Sequence, residues 1–165
     1  MPTPMPLKTE ISDTYPNPSD ATARAGFAKL WDYIATLYGK ENVIGLVSQV
    51  AGVPTGKLIE SGLNANGRYA RFADGTQICW GNTPLVSEAM TNVFGSVFFS
   101  AVLTKTFPAN FIALPTVTLA VYSGNSLSWA TLGVGSNSYW SGYYVRAISG
   151  NDTVSMNFVA VGRWY

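Results

Sequence analysis

The sequence predicts a mainly β protein, a sandwich or barrel, preceded by one short helix and a proline-rich arm. Three observations carry that expectation. From Lys57 onward, short runs of β-branched and aromatic residues alternate with turn clusters such as "SGNS", "GSNS" and "SGND". The composition is 47% hydrophobic and 13% aromatic with only 12% charged residues, against about 25% charged in ordinary globular chains. That balance argues against disorder, which needs low hydrophobicity and high charge. Helical periodicity is clear in a single stretch. The 165 residues suit one β-rich domain with an appendage.

In chain order, Met1 to Pro18 reads as an extended tether. Pro2, Pro4, Pro6, Pro16 and Pro18 block helix and remove backbone donors. Asp20 to Tyr38 comes next, as the helix. Ser19 or Asp20 can cap its free N–H groups, and Asp20 and Arg24 pair at i, i+4. Phe27, Leu30, Trp31, Ile34, Leu37 and Tyr38 recur at three- and four-residue steps and form one apolar stripe. Gly39 supplies the left-handed stop. So short a helix is marginal alone, and its aromatic stripe calls for a partner. Val43 to Gly56 fits helix and strand about equally and reads as a neck. The expected division is therefore residues 1–56 for arm, helix and neck, and residues 57–165 for the β domain.

The β grammar begins with a short strand at Lys57 to Ser61 and a polar loop, "GLNANG". The stretch "ANGRYARFADGTQICWG", Ala65 to Gly81, then reads as a hairpin. A type I turn through Ala73-Asp74 with Gly75 in a left-handed bulge position fits it, and a two-residue turn at Asp74-Gly75 is the alternative. The two differ in register. Further strands are expected at Val97–Thr106, Thr116–Tyr122, Leu127–Val134, Tyr143–Ile148 and Val154–Val161.

Composition also excludes several chemistries. Net charge is +1 with no basic stripe, so the electrostatic term of nucleic-acid binding is missing. Histidine is absent, which removes the commonest general base and metal ligand. Cys79 is the only cysteine, reads as a small buried hydrophobe and forms no internal disulfide. No metal site and no cofactor is expected. No apolar run reaches the ~20 residues of a membrane span, and the first residues lack the apolar core of a signal peptide. The expectation is synthesis in the cytoplasm and no membrane insertion. "GLNANGRY" has P-loop glycine spacing without the Lys and Ser/Thr, and "GNSLS" fails the nucleophile-elbow pattern. Paired carboxylates would suffice for a glycosidase. Glu60, Asp74, Glu88 and Asp152 are the acids within reach, and they read as turn or surface acids rather than catalytic ones.

What remains is contact chemistry. Trp129, Tyr139, Trp140, Tyr143 and Tyr144 crowd the last third among Ser, Gly and Asn. Tyr and Trp give rigid amphipathic area, and Ser and Asn give adaptable hydrogen bonds. Aromatic faces beside amides also suit sugar rings, with their apolar C–H faces and hydroxyl rims. The segment "GVGSNSYWSGYY" is the expected contact loop, with Trp129, Asn137, Tyr139, Trp140 and Tyr143 as the ligand-binding residues. The competing reading puts Trp140 and Tyr144 in the core or at a subunit interface.

Three ordered motifs add a resemblance. "NANGRYARFADGTQIC" is carried by Asn64, Ala65, Asn66, Gly67, Tyr69, Arg71, Phe72, Ala73, Asp74, Gly75, Thr76, Ile78 and Cys79. "FPANFIALPTV" is carried by Phe107, Pro108, Phe111, Pro115 and Val117, and "VAVGRW" by Val159 to Trp164. Together they resemble the C-terminal receptor-binding domain of bacteriophage and prophage tail-fibre proteins, over about Lys57 to Tyr165. The resemblance implies an H-type-lectin-like antiparallel β-sandwich at the tip of a homotrimeric fibre; beside the failed catalytic search the leading expectation is a non-enzymatic receptor-binding tip, with a structural virion component without host ligand and a polysaccharide depolymerase as alternatives. It implies a bacterial cell-surface glycan or protein as receptor, other tail or baseplate proteins as partners, and location in the virion. It makes the hairpin scaffold: Phe72, Ile78 and Trp80 give apolar surface, Gly75 makes the bend, and Arg71 lies on or near a subunit contact.

Overall fold

The computed structural model describes residues 20–37, 43–124 and 127–165. The proline-rich arm, Tyr38 and the Gly39 stop lie outside the described residues. Helix α1 spans Asp20–Leu37, where periodicity placed it. Phe27, Trp31 and Ile34 stay exposed along it, so its apolar stripe has no cover among the described residues.

The segment expected as a neck is β. Strands β1 (Gln49–Val50) and β2 (Val53–Pro54) pair in a hairpin. Ala51 and Gly52 turn it with φ of 50° and 82°, the double left-handed geometry that matches strand twist. Backbone hydrogen bonds and one side chain fasten the segment to the β domain, among them Leu58 N–H to the Val43 carbonyl at 3.1 Å. Ile44 bridges Ile59 in parallel, and Glu60 Oε2 accepts from the Val47 N–H at 3.1 Å.

The remaining strands are β3 (Ile59–Asn64), β4 (Gly67–Phe72), β5 (Thr76–Asn82), β6 (Val86–Met90), β7 (Asn92–Phe94), β8 (Val97–Phe99), β9 (Leu103–Thr106), β10 (Thr116–Ser123), β11 (Ser128–Leu132), β12 (Tyr139–Arg146) and β13 (Gly150–Arg163). They form two antiparallel sheets. The first runs β10-β13-β5-β4-β3, with β6 on the far half of β13; the second runs β11-β12-β8-β7, with β9 beside the start of β12. The fold is the expected sandwich. Val97–Thr106 is two strands rather than one. The fourth and fifth expected strands are shifted or lengthened to Tyr139–Arg146 and Gly150–Arg163, and β6 and β7 were not expected.

The core sits between the sheets. Cys79, Met90, Phe107, Phe111, Trp140, Tyr144, Val154, Met156, Phe158 and Ala160 are buried together. Period-two alternation explains the choice. On β13, Asp152, Val154, Met156, Phe158 and Ala160 turn inward while Val159 and Val161 turn out. Phe107 and Phe111 come from the loop after β9 and meet edge to face at 5.1 Å. Trp140 on the second sheet packs on Phe158 of the first, centroids 5.4 Å apart.

The three motifs converge on one junction. Gly75 donates to the Phe72 carbonyl at 3.0 Å and has φ +92°, and Arg71 faces Gln77. That is the three-residue type I turn with a bulge; the Asp74-Gly75 two-residue alternative is not formed. Asp74 Oδ1 accepts from the Thr76 N–H at 2.8 Å. The C-terminal residues fasten onto this turn. Trp164 Nε1 donates to the Phe72 carbonyl at 2.9 Å and the Tyr165 hydroxyl to the Ala73 carbonyl at 2.8 Å. The Phe107–Phe111 loop joins them through Gln77 Nε2, which donates to the Ala109 carbonyl at 2.9 Å.

Candidate functional site

The strand register decides which aromatic residues can meet a ligand. On β12 the side chains of Trp140 and Tyr144 face the core, and the opposite side of the strand carries Tyr139, Ser141, Tyr143 and Val145, of which Ser141 and Val145 are themselves buried. Trp140 is only 1% exposed, so the sequence expectation that it belongs to a contact loop gives way to a core position. Tyr144 is equally buried, and its hydroxyl lies 3.1 Å from Thr83 Oγ1. Burial pushes the Tyr144 phenol above its ordinary pKa.

Trp129 and Tyr143 share the outer face of the second sheet. Trp129 stands opposite Val145, which stands opposite Phe99, itself opposite Asn92. One row therefore crosses four strands. Tyr143 pairs with Thr131 in the adjoining row and meets the Phe99 ring edge to face at 5.7 Å. Phe94 and Val97 close the other side from the β7–β8 hairpin. Together these residues line a depression of about 470 Å³ with no charged side chain in its wall. Trp129 is 46% exposed and Phe94 79%. Among the described residues, no hydrogen bond engages the Thr131 or Tyr143 hydroxyl or the Trp129 indole.

The other expected ligand residues lie elsewhere. Tyr139 lines a smaller cleft of about 120 Å³ with Leu114, Leu132 and Ser136. Asn137 works as a staple. Its backbone carbonyl accepts from the Phe111 N–H at 2.9 Å, and its Nδ2 donates to the Phe111 carbonyl at 3.1 Å. The five residues therefore do not form one site. Trp129 and Tyr143 come together, and sequence reasoning missed Phe94 and Phe99. Those two enter from strands some thirty to fifty positions away, and only the register brings them in.

The acids do not assemble into one cluster. Glu60 accepts from the Tyr69 hydroxyl at 2.9 Å and lies 3.8 Å from the Arg71 guanidinium; the Glu60 contact is the main cause of a raised Tyr69 pKa. Asp74 belongs to the turn. Glu88 and Asp152 are cross-strand partners, but Asp152 is engaged by Arg146 at 3.8 Å and by the Ser123 hydroxyl at 2.6 Å. Among the described residues there is no group of three or more metal-ligating side chains, and no helix is long and apolar enough to cross a membrane.

The outer face of the first sheet is also apolar, and it carries a smaller hollow of about 280 Å³ lined by Leu63, Arg68 and Trp80 among others. Register places Thr118, Val159, Trp80, Arg68 and Leu63 in one row, and Thr116, Val161, Ile78, Ala70 and Ser61 in the next. Leu63, Trp80, Val159 and Val161 are exposed on it. Outward positions of a one-side-buried sheet are ordinarily polar. Arg71 is directed inward instead, with Nε donating to Gln77 Oε1 at 2.8 Å and its guanidinium over the Tyr69 and Trp164 rings.

No protein-family model and no curated protein matches the chain. Two solved structures are similar to it. One is the C-terminal part of the P. aeruginosa R1 pyocin fibre, at 17% identity and a TM-score of 0.50, covering 87% of this chain and 31% of that one. The other is an N-truncated R1-type pyocin tail fibre, at 16% identity and a TM-score of 0.48, covering 62% of this chain and 84% of that one. The chain thus spans under a third of the length of the first fibre chain, with which it shares a fold.

Proposed function

We propose that this chain is the receptor-binding tip of a phage-type tail fibre. It works as a homotrimer and recognises a bacterial surface receptor, polysaccharide rather than protein, during adsorption to the host. In this reading the tip is made in the host cytoplasm, resides in the virion and joins other tail or baseplate proteins through its N-terminal third. The observation that carries the proposal is the pair of apolar outer faces on one sandwich. A monomer seldom exposes so much contiguous apolar surface without using it. The first-sheet face and the helix stripe of Phe27, Trp31 and Ile34 fit packing against copies of the chain, since obligate interfaces are more apolar than ordinary surface. The second-sheet face, with the larger depression, remains for the receptor. Likeness of fold to a pyocin fibre supports the same reading, and so do the three sequence motifs.

In this reading the tip is a binder and not an enzyme. The engagement of Asp152 by Arg146 and Ser123, and of Glu60 by Tyr69 and Arg71, supports it. Labelled protein added to a panel of bacterial strains tests the proposal. Saturable binding to some strains, lost from mutants without surface polysaccharide, is expected. Binding to no strain contradicts the receptor role, and binding that survives loss of the polysaccharide contradicts the class of receptor.

A further inference from the structure

We infer that the depression on the outer face of the second sheet binds an uncharged sugar unit of an envelope glycan, with Trp129 and Tyr143 as its stacking platform. The inference rests on the receptor-binding reading and adds the site and the charge class of the ligand.

Shape argues for a small-ring ligand over a second copy of the chain. The depression is concave, and its volume of about 470 Å³ falls in the ~300–1,000 Å³ range of ligand clefts. The hollow on the first-sheet face is smaller, about 280 Å³, and has Arg68 in its wall; that face offers the surface for subunit packing. The wall chemistry then selects the ring. Trp129, Tyr143, Phe99 and Phe94 present aromatic surface to an apolar C–H face. The Thr131 and Tyr143 hydroxyls and the Trp129 indole N–H stand at this surface without intramolecular partners among the described residues, ready to bond ring hydroxyls directly or through water.

Charge narrows the class. No Lys, Arg, Asp or Glu lines the wall. A uronic acid or phosphorylated sugar would lose hydration there and gain no counter-charge. A neutral pyranose loses only water that the hydroxyls and the indole replace. Preorganisation is built in, because the Phe99–Tyr143 edge-to-face contact holds both rings on a sheet rather than on a loop.

The test uses an array of purified bacterial envelope polysaccharides, neutral and acidic, probed with the whole protein. Expected is binding to neutral polysaccharides, unchanged between about 0.05 and about 0.5 M NaCl because no ion pair is screened. Trp129→Ala should weaken it at least about tenfold at unchanged particle mass, and Tyr143→Phe, which keeps the ring and the fold, should weaken it less. Salt-sensitive binding restricted to acidic polysaccharides overturns the inference. A Trp129→Ala particle that falls apart overturns it too, since the depression is then a subunit contact. If Trp129→Ala still binds cells and glycans as the parent does, the receptor role stands and this site is wrong. If the parent binds neither cells nor glycans, the receptor role itself fails.

Discussion

Gly75 is the residue on which the hairpin turns. Its φ of +92° lies where side chains with a Cβ are strained, and a Cβ there would run into the Arg163 guanidinium. Gly75→Val should therefore cost about 1 kcal/mol or more, seen as a lowered melting temperature; an unchanged curve would refute the turn. Next to it, the Thr76 N–H bond holds the Asp74 carboxyl below the ordinary aspartate pKa. A depressed folded value means the bond's contribution is present above the unfolded pKa and is lost as pH falls through the folded one. The Thr76 amide resonance should shift only below the usual aspartate range, and Asp74→Asn should abolish that shift. Cys79 is fully buried and burial raises its thiol pKa. It should react with a thiol reagent only as fast as the protein unfolds; rapid native-state labelling would contradict the core placement. The Gly75 bulge turn was one of the two geometries that the D-G pair left open, and the burial of Cys79 was legible because a free cysteine is ordinarily a small buried hydrophobe.

At the scale of elements, the C-terminal motif and the hairpin motif are parts of one structure. Trp164 closes over the Phe72 carbonyl and the Arg71 guanidinium. Trp164→Ala should destabilise the first sheet by about 2 kcal/mol, less than the full loss for a buried Trp because Trp164 is partly exposed. Amide exchange in β4 and β5 should rise first. The elements that sequence missed were missed for physical reasons. β6 carries Glu88 among its alternating positions, which breaks the apolar period, and β7 has three residues, too few to show one. The contact face was half legible. Aromatic crowding pointed to Trp129 and Tyr143, but Trp140 and Tyr144 lie on the opposite side of the same strand from Tyr143. In a period-two element adjacent aromatics have opposite fates, and only the register tells which pair is buried.

At the scale of the molecule, scarce charge and two apolar outer faces are what the proposed assembly would use. A lysine at Val159, on the apolar outer face of the first sheet, points outward and leaves the core intact. Val159→Lys should dissociate the assembly while the far-ultraviolet circular dichroism of the protomer stays that of a β protein. The helix and the sandwich were both readable as units from periodicity. The two apolar outer faces were not, because strand register across residues far apart in sequence decides which side chains share a face. Light scattering on a sizing column, which gives the native mass, is the first test of the proposed homotrimer. A single species at three times the 17.7 kDa chain mass is expected. A clean monomer at working concentration would refute the trimer, because the apolar first-sheet face would then have no copy to cover it.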